Sequence, residues 1–270
     1  MDDAAKQSIK DTFDAVAEGY DGRALRFFPD SAAHMAARLA LRGDEEVLDV
    51  ACGTGHASVA LARRLPRGRV TAVDFSPAML AQARRKAGAA GLTNLDFVEC
   101  DMQALGWPDR FDAAVCAFGI FFVEDMDAQL RRIAATVKPG GRVMTSNFRK
   151  DYMEPLRSLM VARLDRFGVQ TPPQIWLRIA HPEACRALFE GAGLRDVQVE
   201  NRDLGYFLAS ADEWWDVIWN AGFRHMIGRL PPAQQSSFKQ QHLAEIEALR
   251  TRDGIRMDVP VLFTNGIAPG

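Results

Sequence analysis

Between residues 45 and 148 the chain alternates strand-like apolar runs with helix-patterned segments. The first run, VLDVACGTG over residues 47–55, passes through a turn of small residues into a helix. Parallel neighbours in a sheet cannot be joined by a hairpin and need a crossover, usually a helix, so this rhythm commits the region to a doubly wound α/β sheet. Strands are expected at 46–50, 69–74, 95–100, 111–116 and 142–147. The helices between them have readable limits. Ser76 and Pro77 form an N-cap and first turn, Met79, Leu80, Ala83, Ala87 and Ala90 supply an apolar face, and Gly91 supplies the stop. Met126, Leu130, Ile133 and Val137 share a second helical face, expected to run until Pro139, Gly140 and Gly141 end it.

Outside this block, residues 4–18 and 31–41 read as two helices around a loop that holds Tyr20, Phe27, Phe28 and Pro29. Beyond residue 148 the pattern gives a helix over 150–168, a break at Pro172 and Pro173, a helix over 181–192, and strands near 197–204 and 255–265. Connections are ordinarily about 4 to 6 residues long. The stretch 205–252, with Trp214, Trp215, Trp219 and a long helix over 232–250, is therefore expected to be an ordered insertion. The whole is predicted to be α/β, a doubly wound, mostly parallel seven-stranded sheet of Rossmann-like form. Residues 1–44 make an N-terminal helical lid or flank, and 45–270 make a core with helical insertions at about 150–180 and 205–252.

The turn after the first strand carries the chemistry. Gly53 and Gly55 let a ligand approach the backbone, and the free amides of the following helix start favour polar ligand groups. A dinucleotide-binding turn is built the same way, but its third glycine or alanine is Ser58 here. Asp49, at the end of the first strand, would repel a pyrophosphate yet could hold an ammonium group. Asp74 ends the second strand, where it can accept from both ribose hydroxyls in either cofactor class, and Asp101 ends the third, within reach of an adenine amino group. Carboxylates at three successive strand ends suit a positively charged nucleoside better than a phosphorylated one.

The motifs VLDVACGTG, VDFSPAML (73–80), FVECDMQALGW (97–107) and VKPGGRV (137–143), in that order and spacing, resemble the class I S-adenosylmethionine-dependent methyltransferases, and among them the ubiquinone/menaquinone-biosynthesis type. The resemblance implies a methyltransferase fold with S-adenosylmethionine as cofactor. Asp49, Ala51, Gly53 and Gly55 would hold the methionine portion, Asp74 the ribose, with Phe75 and Met79 beside the adenine. Asp101 would bind the adenine amino group, flanked by Met102 and Gln103. Ala117 and Phe118 would lie beside the methyl group, and Tyr20 would close over that end. Many relatives carry a histidine after the fourth strand, where this chain has Gly119, Ile120, Phe121 and Phe122.

The function expected is transfer of a methyl group by in-line displacement to a small-molecule acceptor, through O-, C- or N-methylation of an aromatic or quinone-like metabolite. A nicotinamide-dependent oxidoreductase and a non-catalytic S-adenosylmethionine-binding protein are the alternatives. No catalytic residue is assigned: His181, His225 and His242 show no partner in the sequence, while Asn147, Arg149 and Tyr152 are as readily ordinary loop polarity as acceptor contacts. Phe121 and Phe122 read as core or pocket wall, and the tryptophans as either anchors of the insertion or lining of a substrate pocket.

Composition sets the remaining bounds. With 33 basic and 35 acidic residues and a formal charge of −2, no field draws a polyanion, so nucleic acid is not an expected partner. The longest apolar runs, such as 118–123, fall short of the ~20 residues of a membrane span. The start MDDAAKQSIK lacks a secretory pattern, so the cytoplasm is expected. Cys52, Cys100, Cys116 and Cys185 form no CxxC pair and read as reduced filler. No metal-ligand spacing is present, and oligomeric state leaves no sequence signal.

Overall fold

The computed structural model describes residues 3–171 and 174–269, so the expected break at Pro172 and Pro173 lies outside the described residues. Its seven-stranded sheet contains β1 (Glu46–Val50), β2 (Arg69–Asp74), β3 (Leu95–Glu99), β4 (Phe111–Ala117), β5 (Val137–Phe148), β6 (Arg195–Asp203) and β9 (Pro260–Ile267), in the order β3-β2-β1-β4-β5-β9-β6. β1 to β5 pair in parallel, whereas β9 runs antiparallel to both β5 and β6. β7 (Tyr206–Leu208) and β8 (Ile255–Met257) form a separate two-stranded ribbon. The single strand expected over 255–265 is thus two. The chain leaves one sheet and enters the other at Asp258 and Val259, where the Val259 amide bonds to the Asp203 carboxylate at 2.9 Å.

The parallel strands are near-continuous apolar runs because helices cover both faces of the sheet. In chain order the helices are α1 (Asp3–Val16), α2 (Phe27–Arg38), α3 (His56–Ala62), α4 (Pro77–Ala89), α5 (Met126–Ala134), α6 (Leu156–Arg166), α7 (Pro182–Gly191), α8 (Ala211–Asn220), α9 (Arg224–Ile227) and α10 (Pro232–Glu247). The Ser76 hydroxyl caps α4 by accepting from the Met79 amide at 3.0 Å. Two expectations change. Phe27, Phe28 and Pro29 form the first turn of α2 rather than a loop, which a proline tolerates because the first amides have no helical partner. Val137 belongs to β5, not to the preceding helix. α5 ends at Ala134, and the Thr136 hydroxyl donates to the Ile133 carbonyl at 2.7 Å, closing the last turn.

The insertion is built into the same core. Trp214 on α8 is fully buried, and its indole N–H donates to His242 Nε2 on α10 at 2.9 Å. Trp215 and Trp219 stack with ring centroids 6.0 Å apart, one helical turn from each other. No helix among the described residues is long and apolar enough to cross a membrane.

Candidate active site

The strand order reverses between β1 and β4, and a crevice opens at the carboxyl ends of the strands there, the usual ligand position in an open α/β sheet. Both strands leave the sheet through a left-handed residue that is not glycine: Ala51 at φ 55° and Phe118 at φ 52°. A β-carbon in that region is disfavoured, and such strain gathers where a chain must turn away sharply to leave room for a ligand.

An inner cavity of about 80 Å³ occupies the crevice. Ala51, Gly53, Asp74, Phe75 and Met79 line one side, and Asp101, Met102, Gln103, Ala117 and Phe118 the other. Tyr20 closes it from the N-terminal segment, with Ile9 and Phe13 of α1. Asp74 Oδ2 accepts from the Gly53 amide at 2.8 Å and Oδ1 from the Ser76 amide at 2.9 Å, so one carboxylate ties the glycine turn to the start of α4. Burial pushes its pKa up, and the amides of Ser76, Gly53 and Phe75 oppose the shift. Each carboxylate oxygen accepts more than one hydrogen bond, so both keep capacity for ligand hydroxyls.

Two predicted site residues stand behind the wall instead of in it. Asp49 is fully buried beneath the turn, where Oδ2 accepts from the Ser58 hydroxyl at 2.5 Å and Oδ1 meets no partner. Burial pushes its carboxyl up to about 7 against that hydrogen bond, and the Asp74 charge adds to the rise. Near neutral pH it is therefore less ionised than a solvated strand-end carboxylate. Gly55 sits at φ 80° as the N-cap of α3, and a β-carbon there would lie 2.9 Å from Ala83 Cβ. Its smallness serves the contact between α3 and α4. At Gly53, by contrast, a β-carbon would meet nothing within 4 Å, and the residue lines the cavity.

Sequence reasoning missed the polar groups that fasten the N-terminal segment over this cavity. Lys6 Nζ pairs with Asp101 Oδ2 at 2.8 Å, while Asp101 Oδ1 accepts from the Gln103 amide at 2.8 Å. Asp14 on α1 accepts from the Ser76 hydroxyl at 2.5 Å. Asp21, next to Tyr20, gathers the Thr54 hydroxyl at 2.6 Å, His56 Nε2 at 2.9 Å and Lys86 Nζ at 3.0 Å. Burial would raise the Asp21 pKa, but the hydrogen bonds from His56, Thr54 and Lys86 hold it well below the usual carboxylate range. Thr54, Ser76, Asp101 and Gln103 lie within the motifs and His56 beside one, whereas Lys6, Asp14, Asp21 and Lys86 lie outside them. Each of these lies far in sequence from the partner it meets, and the two become neighbours through packing alone.

A second, outer cavity of about 310 Å³ adjoins the first and shares Ile9, Phe13, Tyr20, Phe118 and Phe122 with it. Its walls are mostly aromatic. Phe118 stacks on Phe148 at 4.5 Å, Phe148 on Tyr152 at 4.3 Å, and Trp176 meets Tyr152 edge-on at 4.8 Å. Phe121 and Phe122 line it, as the wall reading has them. Trp214, Trp215 and Trp219 do not, which leaves them as anchors of the insertion. Among the histidines, His225 borders the outer cavity with Nδ1 on the Gly222 carbonyl at 2.5 Å, and burial lowers its pKa. His242 is buried against Trp214, and His181 precedes α7 without a side-chain cap bond. Asn147 turns inward to the Ile179 carbonyl at 2.6 Å and Arg149 pairs with Asp151 at 2.6 Å, so of that group only Tyr152 reaches the cavity.

The sheet order, the acidic strand ends and the paired cavities together define an α/β protein whose switch-point crevice suits a nucleoside ligand and adjoins a separate apolar chamber. A methyltransferase-domain family profile matches residues 47–141. The demethylmenaquinone methyltransferase of Thermus thermophilus is 40% identical over 141 residues, which take in 50% of this chain and 64% of that protein, just under two thirds of its length. The ubiquinone/menaquinone biosynthesis C-methyltransferase UbiE of an Enterobacter species is 30% identical over 185 residues, 61% of this chain and 72% of the relative. Among solved structures, the YcgJ protein of Bacillus subtilis superposes with a TM-score of 0.58 at 20% identity, covering 89% of this chain and 99% of that one. The chain belongs to the class I S-adenosylmethionine-dependent methyltransferases, and S-adenosylmethionine is its cofactor.

Proposed function

We propose that the protein transfers a methyl group from S-adenosylmethionine to a small, flat, aromatic or quinone-like acceptor held in the outer cavity. The observation that carries this reading is the shared wall: the same five side chains border a polar-edged inner cavity and an aromatic outer one. The two curated relatives are named for menaquinone and ubiquinone biosynthesis, which supports a quinone-like acceptor.

The residues present fit the cofactor. Gln103 Oε1 is a buried acceptor without a partner, and the cavity is open where Gly53 lacks a β-carbon. In this reading Asp74 takes the ribose hydroxyls, while Asp101 and Gln103 take the adenine amino group, flanked by Phe75, Met79 and Met102. Ala51, Gly53 and Ala117 cradle the methionine portion, and Asp49 and Gly55 support the turn from behind. Tyr20 and Phe118 stand where the two cavities meet. When bound, the cofactor supplies a sulfonium whose methyl group is electrophilic. The aromatic walls exclude water and fix the acceptor's plane, which leaves alignment as the protein's main contribution. Burial raises the pKa of Tyr20 and of Tyr152, so both hydroxyls stay protonated and donate rather than abstract protons.

Calorimetric titration with S-adenosylmethionine, followed by transfer of labelled methyl to a panel of naphthols and quinols, tests the proposal. Micromolar binding and label in an aromatic product are expected; a pure protein that takes up no cofactor would refute it. All four cysteines are free thiols, which supports a reducing compartment such as the cytoplasm.

A further inference from the structure

The outer cavity is apolar with one strongly polar corner. Arg157 of α6 lines it, and no carboxylate does so among the described residues. The guanidinium lies 4.7 Å from the Tyr152 ring centroid and 5.0 Å from that of Trp176, wedged between two rings that also line the cavity. Its Nε donates to Glu154 Oε1 at 3.1 Å, and Nη2 donates to the same oxygen at 2.6 Å and to the Lys150 carbonyl at 2.9 Å. Among the described residues, Nη1 meets the Gln174 side-chain oxygen alone, at 3.5 Å. A guanidinium carries five N–H donors, two of them on Nη1, so this nitrogen is the one with donor capacity to spare.

The balancing charge is placed asymmetrically. Glu154 does not line the cavity and its side chain is 30% exposed, whereas that of Arg157 is 12% exposed. Water partly screens the carboxylate, while the guanidinium paired with it also meets aromatic walls of low polarity, where the part of its field that Glu154 leaves unbalanced acts more strongly on a ligand than it would in water. Tyr152 strengthens this corner. Burial raises its pKa, against the nearby charge of Arg157, so it keeps its proton and stands as a second donor. A ligand ammonium would meet a fixed cation here with no carboxylate to receive it.

We propose that Arg157 and Tyr152 form an anion subsite in the outer cavity, and that the acceptor is an aromatic molecule bearing an acidic oxygen, phenolic, enolic or carboxylic, held at this corner. The subsite rests on the reading of the outer cavity as the acceptor chamber, and it makes Arg157 a specificity-determining residue that selects against amines. Holding the ionised oxygen also favours the acceptor's conjugate base, which supplies a nucleophile without a protein base.

Three probes with one skeleton and different charge test this: 2-naphthoate, naphthalene-2-methanol and 2-naphthylmethylammonium. Trp176 lies in the cavity and its fluorescence reports binding. A charge-assisted hydrogen bond contributes enough that naphthoate is expected to bind about tenfold or more tightly than the alcohol, and the ammonium most weakly. Arg157→Gln should erase the naphthoate preference, and Glu154→Gln, which removes the competing carboxylate, should enlarge it. Equal binding of the three probes, or a naphthoate preference that survives Arg157→Gln, overturns the proposal. If Arg157→Gln does not fold, Glu154→Gln decides: an unchanged or reduced preference overturns the subsite. Arg157 does not line the inner cavity, so S-adenosylmethionine affinity, measured alongside, should stay unchanged in the variants. Loss of cofactor binding by the parent would instead defeat the methyltransferase reading itself.

Discussion

Asp74 accepts from two backbone amides and still faces the inner cavity, so its removal should cost the ligand and the turn together. Asp74→Ala is expected to weaken S-adenosylmethionine binding about 100-fold, roughly 3 kcal/mol, by calorimetry. Asp49 behaves differently because its folded pKa of about 7 lies above the ordinary 3.8. A carboxyl raised on folding stabilises the fold most below its unfolded pKa, and that contribution is lost as pH rises through the folded value. Asp49→Asn should accordingly raise the melting temperature of the cofactor-free protein at pH 8 and not at pH 4. A cation bound above Asp49 favours its ionised form, so cofactor binding near pH 7 should release protons, seen as a calorimetric enthalpy that changes with the buffer's ionisation enthalpy. His242 shows the opposite pattern for a base. Burial lowers its pKa to about 4, and its Nε2 must stay unprotonated to accept from Trp214. Below pH 6.5 the unfolded chain takes up a proton that the folded one refuses, so about 3 kcal/mol of stability is lost between pH 6.5 and 4. Urea denaturation of the parent and of His242→Gln across that window measures the difference, which should shrink in the variant.

At the scale of elements, α1 and the turn after it depend on polar fastenings more than on the main core. Val16 and Ala17 pack with Met79 in a small cluster of their own, while Lys6, Asp14 and Asp21 reach Asp101 just past β3, the Ser76 cap of α4 and the glycine turn. Charge pairs at partly exposed positions contribute about 1 kcal/mol or less each. The segment should therefore open locally well before the sheet unfolds. Asp21→Asn is expected to raise amide exchange in α1 and to lower cofactor affinity about tenfold, with the sheet's protection unchanged. Uniform exchange across α1 and the sheet would show instead that the flank is part of the rigid core. Motifs inside β1 to β5 were legible because strands, turns and caps are local in sequence. The start of α2 and the split between β8 and β9 were not, because short apolar runs suit helix, strand and loop alike until a neighbour pairs with them.

Across the whole molecule one continuous cluster of buried apolar residues runs from the sheet through Trp214, Phe238 and Ile246 of the insertion. The insertion should hence unfold with the core: far-ultraviolet dichroism and tryptophan fluorescence are expected to report one coincident thermal transition, and S-adenosylmethionine at 100 times its dissociation constant to add about 2.7 kcal/mol. Separate transitions would make 205–252 an independent unit. The sequence by itself determined the doubly wound sheet, its seven strands and the family, because hydrophobic period, turn glycines and strand-end acids are set by local chemistry. The resemblance carried by its motifs also named most of the inner cavity's lining, while the residues by themselves pointed to Gly53, Asp74 and Asp101, since strand ends in a parallel sheet converge on one edge. Only the tertiary structure decided that Asp49 lies behind the wall, that Lys6 faces Asp101 across 95 positions, and that Arg157 rather than the tryptophans of the insertion gives the outer cavity its polar corner. Those facts depend on which side chains become neighbours when distant segments pack, and a linear pattern does not record that.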